Sequence, residues 1–147
     1  MNEFIKMLDT NLEYIKHEIV NDTLKIWVKS NRKEVICPYC QTVSTKVHSH
    51  YERSFQDLPI QGKKVIVIIN NKKMFCNNPK CSHKTFAETY KFLSPKGKKT
   101  KRLENEIINI SMNVSSITAS NILNRGVAKV SKSTVCNLLK KRKYNNK

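Results

Sequence analysis

Apolar and polar residues alternate through Leu24-Lys25-Ile26-Trp27-Val28, behind an Asn21-Asp22 pair that reads as a turn. The period-2 signal returns at Val65-Ile66-Val67-Ile68-Ile69, a β-branched run too apolar for an open face. Its alternation continues through Asn71 and Lys73 to Phe75, so one long strand over 65–75 delivers the chain to Cys76. Pro59 and Gly62 mark the turn before that strand, and Val35 and Ile36 lead into Cys37. Residues 2–9 fit one short helix.

After Ser94-Pro95 the period becomes helical. Leu103, Ile107, Ile108 and Ile110 recur at helical spacing from about Thr100 to Met112. Ser115 or Ser116 caps a second helix with Ile117, Ile122 and Leu123 on its inner side. Asn124-Arg125-Gly126 ends it, with the glycine in the C′ role. Val127-Ala128-Lys129-Val130 leads to a third helix, capped by Ser131, with Val135, Leu138 and Leu139 as its apolar stripe. This is the layout of a helix-turn-helix. The breakpoint predicts a β-rich module over 1–93, a helical module over 94–142 and a flexible basic tail over 143–147, with the Lys140-Lys141-Arg142-Lys143 run frayed.

Charge sharpens this division. Of 147 residues, 28 are Lys or Arg and 11 are Asp or Glu, a net charge of +17. Residues 1–90 hold 14 basic and 9 acidic side chains; residues 91–147 hold 14 and 2. Such a surface repels itself and attracts polyanions. A membrane-binding helix wants aromatics opposite its lysines, and residues 91–147 contain one Phe, one Tyr and no Trp. Nucleic acid is the better partner. No apolar run approaches the ~20 residues of a membrane span, and the N-terminus lacks a signal-peptide core. The expectation is a soluble, cytoplasmic protein with no membrane and no small-molecule partner.

In a reducing compartment, cysteines are ligands or buried thiols rather than disulfides. Cys37-Pro38-Tyr39-Cys40 forms one tight knuckle, and Cys76 and Cys81 a looser one. Four thiolates make a closed tetrahedral zinc site, one structural ion with no open position for chemistry. The 35 residues between the pairs exceed the usual ribbon spacing of about 15–20, a gap that strands can bridge across a sheet. His83, His48 and His50 are alternatives to one sulfur and are left out of the ligand set; Cys136 packs as a small hydrophobe. The fold class is α+β, a small zinc-ribbon-like β-rich module followed by a three-helix module, and zinc is the staple that so small a β module needs.

In a helix-turn-helix the second helix of the pair enters the major groove, led by its N-terminal residues. Lys132, Ser133, Thr134 and Asn137 occupy that position, and Asn137 has the chemistry to pair with adenine. Lys96, Lys98, Lys99, Lys101 and Arg102 precede the first helix as a phosphate clamp or minor-groove arm. No aromatic stacking platform of the RNA-recognition type is visible, so double-stranded DNA leads over RNA. The acidic residues are scattered with no convergent layout, and Glu104 and Glu106 do not share a helix face. The chain is therefore not read as an enzyme.

Together, CPYC, YERSFQDLPIQGKKVIV, the FCNNPKC stretch, the FAE at Phe86-Ala87-Glu88 and the KTKRL lead-in to a helix resemble bacterial insertion-sequence transposases of the ISL-three family, over about residues 35–140. The resemblance implies zinc at Cys37, Cys40, Cys76 and Cys81. It implies DNA reading by the helix beginning at Ser131, and recognition of the element's terminal inverted repeats. It also implies a separate downstream domain with an RNase H-like fold and a metal-dependent acidic triad. The chain stops at Lys147, so the expectation is a transposase's DNA-binding portion without the catalytic domain. Its implied partners are double-stranded DNA and full-length transposase or a second copy of the chain, in the bacterial cytoplasm and nucleoid. The alternatives are a zinc-ribbon/helix-turn-helix transcription regulator and a non-functional gene fragment.

Overall fold

Asn21 adopts the left-handed conformation, φ 55°, between β1 (Leu12–Val20) and β2 (Thr23–Ser30), which makes the Asn21-Asp22 turn read from the sequence. The computed structural model describes residues 1–145. Helix α1 (Asn2–Leu8) comes first. After β2 come two short strands, β3 (Val35–Ile36) and β4 (Val43–Ser44), then two long ones, β5 (Val47–Ile60) and β6 (Lys63–Phe75), and then β7 (Thr85–Ala87). Three helices complete the chain: α2 (Lys101–Ser111), α3 (Ser116–Leu123) and α4 (Lys132–Asn145).

The sheet order is β1-β2-β6-β5, with β7 also on β6. β2 and β6 run parallel; the other pairs are antiparallel. The predicted 65–75 strand is β6, and it is the spine of the molecule. Its first half lies between β2 and β5, and its last three residues pair with β7. β1 and β5 carried no strand signal in the sequence. β5 buries only Phe55 and Asp57, and β1 is an edge with one buried residue, Leu12, so neither needs regular apolar alternation. Pro59 lies inside β5, where the register slips between Asp57 and Ile60; an irregularity tolerates a residue without an N–H.

One sheet face is the main core. Leu24, Ile26 and Val28 of β2 and Val65, Val67 and Ile69 of β6 are buried there with Phe55, under Ile5 of α1 and Tyr90 and Leu93 of the segment after β7. The β-branched run at 65–69 is thus buried only at alternate positions: Ile66 and Ile68 stand half-buried on the other face.

The helices surround a second core of Leu103, Ile107, Ala119, Leu123, Ala128, Val130 and Val135. Thr100 caps α2 and Ser115 caps α3, each hydroxyl accepting the backbone N–H three residues on. The inner face of α3 differs from the expected one. Ala119 and Leu123, one turn apart, are buried, whereas Ile117 is 57% and Ile122 39% exposed. Ile117 precedes Ala119 by two residues, about 200° around the helix. Gly126, at φ 142°, stands one residue beyond C′; Asn124 is the C-cap. The space at Gly126 is needed, because a Cβ would come within 3.2 Å of the Gly62 carbonyl in the β5–β6 turn.

The tail corrects a further expectation. The run 140–143 is helical and α4 continues to Asn145, because Lys141 pairs with Glu104 and Arg142 reaches Asn109 across α2. Asn146 and Lys147, the rest of the expected flexible tail, lie outside the described residues. Among the described residues no helix is long and apolar enough to cross a membrane.

Candidate metal centre and basic surface

The short β3–β4 hairpin closes the first knuckle. The Cys37 N–H donates to the Thr42 carbonyl at 2.9 Å, and the Gln41 N–H to the Cys37 carbonyl at 2.8 Å, with Gln41 left-handed at φ 64°. The second knuckle hangs from the end of β6 and returns into β7. There the Cys76 N–H donates to Lys84, and the Cys81 N–H to Asn78. Because β5 and β6 occupy most of the chain between Cys40 and Cys76, the long gap between the pairs is spanned by sheet rather than by loop.

The four Sγ atoms lie within 4.8 Å of one another, with Cys37 to Cys81 at 4.0 Å and Cys40 to Cys76 at 3.5 Å. Zinc–sulfur bonds of about 2.3 Å place tetrahedral sulfurs about 3.8 Å apart. The spacing fits one ion and is far from the ~2.05 Å of a disulfide. Cys37 is buried and the other three are half-buried, over a small apolar floor of Val35, Met74 and Phe86. Four thiolates leave no position for a substrate or water, so the site holds one structural zinc ion.

None of the expected alternatives joins the cluster. The His83 ring stacks on Tyr39, centroids 3.5 Å apart, which bridges the two knuckles, while its backbone N–H donates to Cys81 Sγ at 3.5 Å. His48 packs edge-on against Phe75, and His50 lies on β5, paired with Lys72. Two residues that support the site were not singled out by spacing: Thr42, whose hydroxyl lies 3.3 Å from Cys40 Sγ, and Tyr39. Cys136 is half-buried and donates to Ser116 on α3 at 3.3 Å.

The metal-free thiols are not equivalent. Hydrogen bonding from Thr42 draws Cys40 down to about 6. At Cys76 the Asn78 amide favours the thiolate, but burial and the neighbouring cysteines outweigh it and push the thiol up to about 12. Cys81 is raised in the same way against the pull of the His83 amide. At pH 7, zinc therefore displaces protons from Cys76 and Cys81. Affinity rises with pH while those two are still protonated in the free protein, by about one decade per pH unit for each proton released. Calorimetry in buffers of different ionisation enthalpy should count at least the two protons of Cys76 and Cys81 released per zinc at pH 7. A zinc affinity that stays flat between pH 6 and 8 would contradict this assignment.

The expected DNA-contacting residues fall into two groups. Ser133 and Asn137 lie one turn apart on α4, both exposed, with Lys132 exposed at its first turn and Thr134 half-buried. Ser131 caps the helix through the Thr134 N–H. The start of α4 is held against α3 by polar side chains. Asn124 donates to the Val130 carbonyl at 2.8 Å and accepts from its N–H at 3.2 Å, and Ser120 donates to the same carbonyl.

The lead-in to α2 is a joint between sheet and helices. Lys98 and Lys101 are exposed, and Lys99 is half-buried, with burial lowering its pKa. Arg102 turns back to Asp57 on β5, binding it with Nε at 2.8 Å and again through Nη2, and the Thr100 hydroxyl donates to the same carboxylate at 2.8 Å. Its charge is thus engaged within the protein. Gln56 next door pairs with both the N–H and the carbonyl of Lys129, at 2.9 and 3.3 Å. Leu58 packs into the helical core, and Arg53 grips the turn at Ser94 and Gly97 through their carbonyls.

Glu88 is fully buried. It accepts from Ser30 and Tyr90, at 2.7 and 3.1 Å, with Arg32 at 3.6 Å. The acidic residues nearest the core, Asp57 and Glu88, thus sit in separate structural networks. Among the described residues, the four cysteines are the one group of His, Cys, Asp or Glu that could hold a metal.

Residues 33–83, which contain all four cysteines and both long strands, match the family described as the zinc-finger of transposase IS204/IS1001/IS1096/IS1165. No curated protein and no solved structure matches the chain. The Phe86-Ala87-Glu88 stretch and the helices lie outside the matched span, and the zinc centre lies within it.

Proposed function

We propose that this chain is a zinc-stabilised DNA-binding module of an insertion-sequence transposase, with α3 and α4 acting as a helix-turn-helix that reads the element's terminal inverted repeats. The observation that carries the reading is the transposase zinc-finger match over 33–83. The one-sided charge of residues 91–147 supports it, as does the exposed face of Ser133 and Asn137 on α4. In this reading 1–93 and 94–142 are two modules joined at Asp57 and Gln56. Lys98, Lys99, Lys101 and Lys132 bind phosphates; Ser133, Thr134 and Asn137 face base edges. Zinc performs no chemistry and holds the fold.

Binding of the zinc-loaded chain to duplexes carrying the inverted repeat or a scrambled sequence, across a salt series, tests the proposal. Affinity should fall steeply with salt, as phosphate contacts release counterions. The repeat should be preferred, and Asn137→Ala should reduce that preference by about 1–3 kcal/mol. Equal affinity for both duplexes at every salt concentration removes the specificity claim, and a flat salt response removes DNA binding by phosphate contact.

A further inference from the structure

The sheet has a second face that no helix of the described residues covers. Strand alternation puts Thr23, Lys25 and Trp27 of β2 there, opposite the buried Leu24, Ile26 and Val28. The parallel register sets them beside Lys64, Ile66 and Ile68 of β6, all half-buried. Ser54 and Gln56 of β5 continue the same rows. Trp27, Ile66 and Ile68 therefore form an apolar strip with lysines along it, and Val20 of β1 stands opposite Thr23 at its end.

At one end this face runs into the helical joint. Thr23, Ser54, Lys64, Ile66, Lys98 and Lys129 line a cavity of ≈ 320 Å³, with no carboxylate in its wall. The three lysines come from three separated parts of the chain: β6, the lead-in to α2, and the loop before α4. Lys129 is fixed there by both hydrogen bonds to Gln56 and precedes the first residue of α4 by three positions. The acids of the face are Glu13, opposite Lys29 and paired with it at 3.7 Å, Glu18, opposite Lys25, and Glu52, opposite Asn70, and all three are outside the cavity.

We propose that this face is a second contact surface for duplex DNA, gripping the phosphate backbone beside the stretch read by α4. It rests on the DNA-binding reading above and locates a contact that the reading does not contain. Charge complementarity selects a polyanion: three ammonium groups with two hydroxyls converge without an acid. Continuity through Lys129 makes that polyanion the same molecule that α4 meets. The geometry also favours a duplex over a single strand. The Lys16 ammonium sits 4.6 Å from the centroid of the Trp27 ring, which occupies the face on which an unpaired base would stack.

Trp27 is the one tryptophan in the chain, so its emission reports on this face alone. The zinc-loaded full chain should show a saturable change in Trp27 emission on titration with the inverted-repeat duplex and with scrambled duplex. Binding is followed in parallel by anisotropy of labelled duplex. Its salt slope becomes shallower by about one unit for each phosphate no longer neutralised, so Lys64→Gln with Lys129→Gln should lower it by about two on both sequences. Asn137→Ala should keep the Trp27 response while losing sequence preference. Duplex binding with a silent Trp27 and an unchanged slope overturns the sheet-face contact and leaves the α4 reading intact. Absence of duplex binding overturns both. Tighter binding of single-stranded DNA with strong Trp27 quenching overturns the duplex assignment.

Discussion

Removing zinc should unfold the two knuckles and β7 while the main sheet core persists. The apolar floor under the thiols is three residues, Val35, Met74 and Phe86, and β3 and β4 are two residues each. So little buried surface cannot fix about 25 residues of irregular chain against conformational entropy of roughly 1–2 kcal/mol per residue. Structural zinc supplies about 10–16 kcal/mol in zinc-finger peptides, and that is the term which closes the difference. The main core is different: eleven buried residues, from Ile5 to Leu93, pack without any ligand. Chelation followed by amide exchange should leave Ile26 and Val67 protected and expose Cys37, Cys76 and Phe86. Cys76→Ser should do the same without chelator, and elemental analysis should find one zinc per wild-type chain. Full protection of β3, β4 and β7 after zinc removal would sink this account.

That division of labour also marks what could be read from the sequence. The cysteine pairs were legible because knuckle spacing is local chemistry, and β6 was legible because its alternation runs from Val65 to Asn71; beyond that the phase changes, and Met74 rather than Phe75 is buried. The helices announced themselves through periodicity and, for α3 and α4, through the caps Ser115 and Ser131; the Thr100 cap of α2 was not singled out. The expectation that zinc staples the whole β-rich part did not include the eleven-residue sheet core. It missed β1 and β5, whose edge positions leave most of their residues exposed or half-buried, and so underestimated the sheet core. Side-chain partners across the joint were not legible either. Arg102 reads as one more basic residue beside Lys98, Lys99 and Lys101 until β5 brings Asp57 against it, 45 positions earlier in the chain. The Asp57-Leu58-Pro59 stretch, which contributed to the family resemblance, has a mechanical role. Asp57 holds the start of α2, Leu58 enters the helical core and Pro59 sits in the strand's irregularity.

Asp57→Ala should uncouple the helices from the sheet. Asp57 is nearly buried and accepts three hydrogen bonds, two of them from a guanidinium. Hydrogen bonds to charged groups contribute about 1.5–3 kcal/mol each, but the Arg102 side chain is 40% exposed and regains water when its partner is removed, which keeps the total cost near ~2–3 kcal/mol. For a chain of this size that lowers the melting midpoint by roughly 5–10 °C. The mechanical consequence is larger than the energetic one. Besides Asp57, the two cores are joined by Gln56 with Lys129, by Arg53 on the 94–97 turn, by Leu58, and by the close approach of Gly62 and Gly126. Trp27 fluorescence follows the sheet and far-UV circular dichroism at helical wavelengths follows α2 to α4, so urea unfolding can be watched from both sides. In the wild type the two transitions should coincide. In Asp57→Ala the helical transition should move to lower urea than the sheet transition, since α2 loses the anchor of its N-terminal cap. Coincident, unshifted transitions in that variant would mean that the ion pair is not what joins the sheet to the helices.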